Sequence, residues 1–200
     1  MSNLTRPPAP ACGQDPHVRL WTREEYYRLG ELDFFRGQRV ELIEGRIIVV
    51  PRPTFQQFAT LEKVSQVLRN TLPTGFWVRS QGPLTLSQAT EPEPDVSVVV
   101  GQIKDYHDHP TTAVLIVEVS DTTLAYDRGE KASLYARAGI ADYWIVNLVD
   151  RKLEVRRTPG PDAAQPYGHG YASVSELLPP ATVSPLAAPQ VSLAVADLIA

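Results

Sequence analysis

The sequence predicts a mixed α+β domain with helices packed on a central sheet, and three observations carry that expectation. Residues 95–100 and 113–120 are β-branched runs apolar on both faces, as strands inside a covered sheet are. Phe58, Leu61, Ser65, Leu68 and Leu72 recur at spacings of three and four, which marks 55–72 as an amphipathic helix covering one face of that sheet. The 200 residues, 43% hydrophobic and 21% charged, suit a single core of ordinary composition.

Each element follows from local chemistry. Thr22-Arg23-Glu24-Glu25 has the reciprocal spacing of a capping box and opens a helix that runs to about Leu29. Two β-rich runs, 40–43 and 46–50, are separated by Glu44-Gly45 and form a hairpin. The 55–72 helix stops ahead of Pro73. Strands are expected at 76–80, 83–87, 95–100 and 113–120, the last two at the centre of the sheet. Asp127-Arg128-Gly129-Glu130 repeats the capping-box spacing before Leu134, Tyr135 and Ala138, and Gly139 supplies a left-handed stop. Strands at 142–148 and 152–157, joined by 149–151, make a second hairpin, with Tyr143 and Trp144 packed in the sheet. The order α-β-β-α-β-β-β-β-α-β-β is that of a mixed α/β body.

Proline placement sets the boundaries. Pro7, Pro8, Pro10 and Pro16 make 1–16 a loose arm, and 17–200 is one domain. Within it, 159–180 reads as a surface connection rich in proline and glycine, and the apolar 190–199 segment docks back on the body.

Composition excludes several classes. With 19 Lys+Arg against 23 Asp+Glu, the net charge of −4 lacks the global footprint of a non-specific DNA binder, though a local basic groove remains open. The single cysteine, Cys12, forms neither an intramolecular disulfide nor a thiolate metal cluster, which fits a reducing compartment. No apolar run reaches membrane-spanning length and the polar start has no signal-peptide core, so the expected location is cytoplasmic, off the membrane. G-x-S-x-G, P-loop and G-x-G-x-x-G patterns are absent, which removes the usual supports for triad hydrolases, NTPases and dinucleotide enzymes. His107-x-His109 lies in a polar loop without a third ligand and reads as solvated.

Three acids stand where buried strands normally hold apolar side chains: Glu41, Asp95 and Glu118. An isolated buried carboxylate costs several kcal/mol, so each needs a partner, a proton or a metal. If 95–100 and 113–120 are neighbours, Asp95 and Glu118 converge at one end, and two hard oxygen ligands suit Mg²⁺ or Mn²⁺ rather than zinc. Period-two alternation sets Glu118 and Ser120 on one strand face. Lys131 shares a helix face with Leu134, Tyr135 and Ala138, an inward direction unusual for lysine, so it is expected to reach the Asp95/Glu118 cluster. Glu41 has an alternative, a structural pairing with Arg39 or Arg46.

Together these residues carry a resemblance. Pro94-Asp95, Val117-Glu118-Val119-Ser120, Tyr126-Asp127-Arg128-Gly129-Glu130-Lys131, Leu134-Tyr135, Ala138-Gly139 and Tyr143-Trp144-Ile145-Val146 resemble the Uma2 family of restriction-endonuclease-like proteins, in the PD-(D/E)xK nuclease superfamily. The similarity extends to Glu41-Leu42-Ile43-Glu44-Gly45 and Val195-Ala196-Asp197-Leu198, covering nearly all of 20–198. The resemblance implies a restriction-endonuclease-like core in which Asp95, Glu118, the Val119 carbonyl and Glu41 hold a divalent ion. The superfamily's usual lysine position, two residues after the glutamate, is Ser120 here. The resemblance places that lysine on the helix instead, at Lys131. Asp127, four residues away on the same helix face by spacing, is expected to orient it. A second departure is Gln56-Gln57, where the family often carries a histidine.

The implied activity is Mg²⁺-dependent endonucleolytic hydrolysis of phosphodiesters, with nucleic acid, DNA foremost, as partner. A homodimer acting on two strands is compatible with it. Two rivals accompany it: a non-catalytic nucleic-acid-binding or interaction module on the same scaffold, and a metal-dependent hydrolase of another phosphate ester.

Overall fold

Alternation along the central strands decides how the molecule is layered. The computed structural model describes residues 17–199, so the 1–16 arm and Cys12 lie outside the described residues. The chain runs α1 (Arg23–Glu31), β1 (Arg39–Ile43), β2 (Arg46–Val50), α2 (Phe55–Thr71), β3 (Phe76–Ser80), β4 (Val96–Val100), a 3-10 turn (Ile103–Asp105) and β5 (Leu115–Ser120). It continues with α3 (Leu124–Tyr126), a π-helical turn (Asp127–Lys131), α4 (Ala132–Arg137), β6 (Asp142–Asn147), β7 (Lys152–Pro161), β8 (His169–Leu177), β9 (Thr182–Val183), β10 (Leu193–Ala194) and α5 (Val195–Leu198).

β3 to β8 form one six-stranded sheet in chain order. Its neighbours are antiparallel except β5 and β6, which are parallel. A parallel pair needs a crossover, and α3, the π turn and α4 supply it, which suspends Lys131 over the sheet. Leu115, Val117 and Val119 of β5 join Trp144 and Val146 of β6 in a core beneath α2 and α5. Ile116 points the other way, among Tyr143, Ile145 and Tyr135 of α4. Glu118 follows Ile116 in the alternation, so a carboxylate sits on the tyrosine-rich face.

α2 begins at Thr54, whose hydroxyl accepts from the Gln57 amide while Gln57 returns to the Thr54 amide at 2.8 Å. Leu61, Val64 and Leu68 bury its sheet-facing stripe, and a fully buried aliphatic side chain contributes about 1.5–3 kcal/mol. Phe58, in its first turn, stays 48% exposed. On the outer side of α2, Leu193, Val195, Leu198 and Ile199 join the same core, and Lys63 donates to the Ala196 and Ile199 carbonyls.

The β1–β2 hairpin is a separate two-stranded sheet, tied to the body where Leu42 bridges Glu91. Its turn puts Glu44 and Gly45 at φ of 50° and 71°, the pair of positive values that a tight hairpin demands. A Cβ on Gly45 would stand 2.6 Å from Leu20 Cβ, so glycine is required for space as well as for backbone.

The structure corrects three expectations. Residues 83–87 form no strand of the sheet. Leu84 and Leu86 bond instead to the nearby loop carbonyls of Pro92 and Thr90, and Thr85 to that of Pro110, as Gly82-Pro83 turns the chain off the sheet. Residues 159–180 are not a plain connection, because β7 extends to Pro161 and β8 returns beside it. Beyond Arg157 β7 has no β6 partner, so Pro159 and Pro161 remove no hydrogen bond on that side. Asp127 does not cap a helix: the crossover starts at Leu124, and Asp127 lies within it at the start of the π turn.

Candidate active site

The open ends of β4 and β5 border a cleft of about 60 Å³, walled by α2, the β1–β2 hairpin and the π turn. Glu41, Asp95, Glu118, Val119, Asp127 and Lys131 all line it. β4 pairs with β5 so that Val96 faces Val117, which sets Asp95 beside Glu118. The Asp95 amide donates to Glu118 Oε2 at 3.2 Å, and the Val119 amide donates to Asp95 Oδ2 at 2.8 Å. Each acid is thereby fixed by the other's strand.

The crossover delivers the cation. Lys131 Nζ donates to Glu118 Oε1 at 3.0 Å and to Glu41 Oε1 at 3.2 Å, inside a nearly closed environment. One turn on, Tyr135 donates its hydroxyl to the same Glu118 oxygen at 2.8 Å. Glu41 therefore pairs with Lys131 and not with Arg39 or Arg46, and Arg39 leans toward Glu93 at 3.9 Å.

Asp127 does not orient Lys131 through an ion pair. Its Oδ2 accepts from Ser120 Oγ at 2.7 Å and Thr123 Oγ1 at 2.8 Å, and the five-residue π turn separates it from the lysine. The Asp127 carbonyl accepts from the Tyr143 hydroxyl, which pins the turn to β6. Single π turns inside helices concentrate at functional sites, and this one carries Lys131.

Charge in the cleft is unbalanced. Five acids, Glu41, Glu93, Asp95, Glu118 and Asp127, line it against two cations, Lys131 and Arg39. Burial pushes the Asp95 carboxyl up against the opposing pull of Lys131 and the Val119 amide. Burial raises Glu118 well above the ordinary carboxylate value, with Asp95, Asp127 and Glu41 adding to it and Lys131 opposing. Burial also works against the Lys131 ammonium, but Glu118 and then Glu41 outweigh it and hold its pKa well above that of free lysine. Lys131 thus stays charged, and the Tyr135 hydroxyl, raised by burial and by Glu118, stays a donor.

The donor set fits a hard divalent cation. Glu41 Oε2 is buried and has no hydrogen-bond partner, and the Val119 carbonyl meets only the Gln57 side-chain amide, at 3.5 Å. Among the described residues, no three His, Cys, Asp or Glu side chains cage an ion by themselves. Mg²⁺ does not require such a cage, since it is commonly held by one or two carboxylates with water completing the octahedron.

Comparisons with known proteins bear on the family and the fold. The family model Uma2, described as "Putative restriction endonuclease", matches residues 23–196. The chain belongs to the Uma2 family. Its fold is similar to a solved structure from Anabaena variabilis ATCC 29413, titled a "putative nuclease belonging to DUF820". The match has a TM-score of 0.67 and 18% identity, covering 88% of this chain and 96% of that one. No functionally curated protein matches the chain in sequence. The Uma2 chain thus has the mixed α+β, restriction-endonuclease-like fold expected of it, within a family described as nucleases. No helix among the described residues is long and apolar enough to cross a membrane.

Sequence reasoning gave no role to Glu93, Thr123 or Tyr126, and noted Gln57 only as a departure from the family's histidine; all four line the cleft. It took Tyr135 for core, although its place four residues after Lys131 is a signal that it faces the same acid.

Proposed function

We propose that this Uma2 protein is a divalent-metal-dependent endonuclease acting on DNA, with Glu118, Asp95 and Lys131 at its centre. The supporting observation is the charge imbalance in the cleft, where five acids face two cations and Glu41 Oε2 has no hydrogen-bond partner. Asp95, Glu118 and the Val119 carbonyl would hold Mg²⁺ or Mn²⁺, with Glu41 beside them. When bound, such an ion lowers the pKa of a coordinated water and offsets charge on a phosphoryl group.

The chain's own groups supply the rest. Lys131, kept protonated by Glu118 and Glu41, is a positive donor for a non-bridging phosphoryl oxygen as charge builds there. Tyr135 and the Asp95 amide hold the two oxygens of Glu118 apart, which fixes the direction in which the carboxylate faces the cleft. Asp127, anchored by Ser120 and Thr123, adds negative potential without competing for the lysine.

Calorimetric titration of Mn²⁺ into the wild type and Glu118→Ala tests the reading without a known substrate. Saturable binding lost in the variant is expected, followed by metal-dependent cleavage of plasmid in preference to RNA. A folded wild type that binds no Mn²⁺ and cuts no nucleic acid would sink it. The second reading, a non-catalytic nucleic-acid-binding module, draws on the absence of a ready metal cage among the described residues.

A further inference from the structure

Glu91, Glu93 and Asp95 alternate with Pro92 and Pro94. A residue before proline is held extended, so this stretch is a stiff strap carrying acids at every second position. Asp95 faces the cleft. Glu93 lines both the cleft and a second hollow of about 340 Å³, and Glu91 lines that hollow alone. The two spaces therefore adjoin across one side chain.

The hollow is walled by flat rings. Tyr26 and Phe35 lie 5.5 Å apart between centroids, and Tyr27 stands edge-on to Tyr26 at 5.7 Å. The Arg23 guanidinium lies over the Tyr27 ring at 5.2 Å, yet the side chain stays 37% exposed, so part of the ring is reachable from solvent. Glu91 is fully engaged by Arg23, by the Tyr27 hydroxyl at 2.5 Å and by Thr85 at 2.6 Å. Glu93 is the acceptor left at the junction, its nearest cation being Arg39 at 3.9 Å.

Charge decides which part of a nucleotide suits the hollow. A phosphate would meet Glu31, Glu91 and Glu93, with His109 the one basic side chain in the lining, whereas a neutral planar ring meets aromatic faces and, at the junction with the cleft, the Glu93 acceptor. We propose that this hollow is a nucleobase subsite, which takes an unstacked, amino-bearing base adjacent to the phosphodiester in the cleft. Tyr27 and Phe35 supply the stacking surface, and Glu93 accepts from the exocyclic amine. The proposal rests on the nuclease reading of the cleft and names its substrate: a strand whose base has left the helical stack. Base stacking on aromatics is tolerant of sequence. The amine contact favours adenine, cytosine and guanine over thymine, which lacks that group.

Fluorescence anisotropy with labelled oligo-dA, oligo-dC and oligo-dT strands in Ca²⁺ buffer tests this without cleavage. The wild type should bind oligo-dA and oligo-dC more tightly than oligo-dT. Phe35→Ala should weaken oligo-dA by about tenfold, in the range found when a stacking aromatic is removed, and Phe35→Trp should retain affinity. Glu93→Met should close the gap between oligo-dA and oligo-dT, which decides the matter even if Phe35→Ala does not fold. Equal affinities for all three strands, unmoved by Glu93→Met, in a wild type that binds DNA would overturn the subsite and leave the nuclease reading standing. A wild type that binds no strand, with or without metal, overturns both.

Discussion

The same sheet buries acids in two ways. At the β6–β7 end, Asp142 accepts from the Trp144 indole at 2.8 Å, from Arg157 Nε at 2.8 Å and from the Leu186 amide at 2.8 Å. Glu154 is gripped by Arg128, Arg156 and Asn147. Both are as deeply buried as Glu118, yet each is matched by arginine and hydrogen bonds. In the cleft, acids outnumber the cations and Glu41 keeps an oxygen unpaired. Burial of a carboxylate therefore does not by itself set the cleft apart in this fold. The unmet charge does.

Breaking the satisfied region should cost the most stability. Asp142→Ala leaves Arg157 and the Trp144 indole without their acceptor and should destabilise the fold by about 3–5 kcal/mol, read as a denaturant midpoint shift. Mn²⁺ binding below the unfolding temperature should be unaffected; if it disappeared, the two regions would not be independent. In the cleft the sign reverses. Glu118→Gln should lower cleavage by more than about 100-fold, beyond the usual cost of losing a supporting contact to a metal site. The same change relieves repulsion among acids and should raise the thermal midpoint by about 2–4 °C, as about 1 kcal/mol does for a chain of this size. A fall in the midpoint would mean that the Lys131 pair, not the excess charge, dominates.

The pH dependence of stability sharpens the contrast. Glu154 is held below the ordinary value of 4.5 by Arg128, Asn147 and Arg156, which overcome its burial. Its stabilising contribution is present above that value and is lost as pH falls through the folded pKa. Glu118 is raised, so its contribution is present below 4.5 and is lost as pH rises through the folded value above it. Unfolding curves from pH 3 to 8 should show Glu154→Gln flattening the acid limb and Glu118→Gln flattening the limb above it. The smallest effect falls on Asp127, which belongs to the cleft but is satisfied like Asp142. Ser120→Ala removes one of its two hydroxyl donors and should cost about 1 kcal/mol, measured by equilibrium unfolding.

Glu118 and Asp95 were legible because an acid in an apolar strand violates the pattern around it. Lys131 was legible because it shares a helix face with core residues. That β4 and β5 are inner strands followed from the same patterns, while their pairing stayed a condition. Asp127 was misread because α-helical spacing puts it on the lysine's face, and the π turn shifts it toward Ser120 and Thr123. Glu93 and the cleft position of Gln57 were invisible because their placement depends on where a loop and a helix start meet the cleft, which no periodicity encodes. The 159–180 stretch misled for a physical reason: prolines there sit where β7 has lost one neighbour, so they punctuate the sequence without ending the strand.

The crossover that lifts Lys131 over the sheet also sets a sequence of events. Lys131 and Glu118 are 13 residues apart and Asp95 and Glu118 are 23 apart, whereas Glu41 lies 90 residues from Lys131. Loop-closure entropy favours the near contacts first. The half of the cleft bearing Asp95, Glu118 and Lys131 should assemble as β4, β5 and the crossover form, and the hairpin bearing Glu41 should close last and open first. Native-state hydrogen exchange should then release the Leu42 and Ile43 amides before those of Val117 and Val119. A cleft that opens by undocking one hairpin gives a long polymer a way in without unfolding the sheet beneath it.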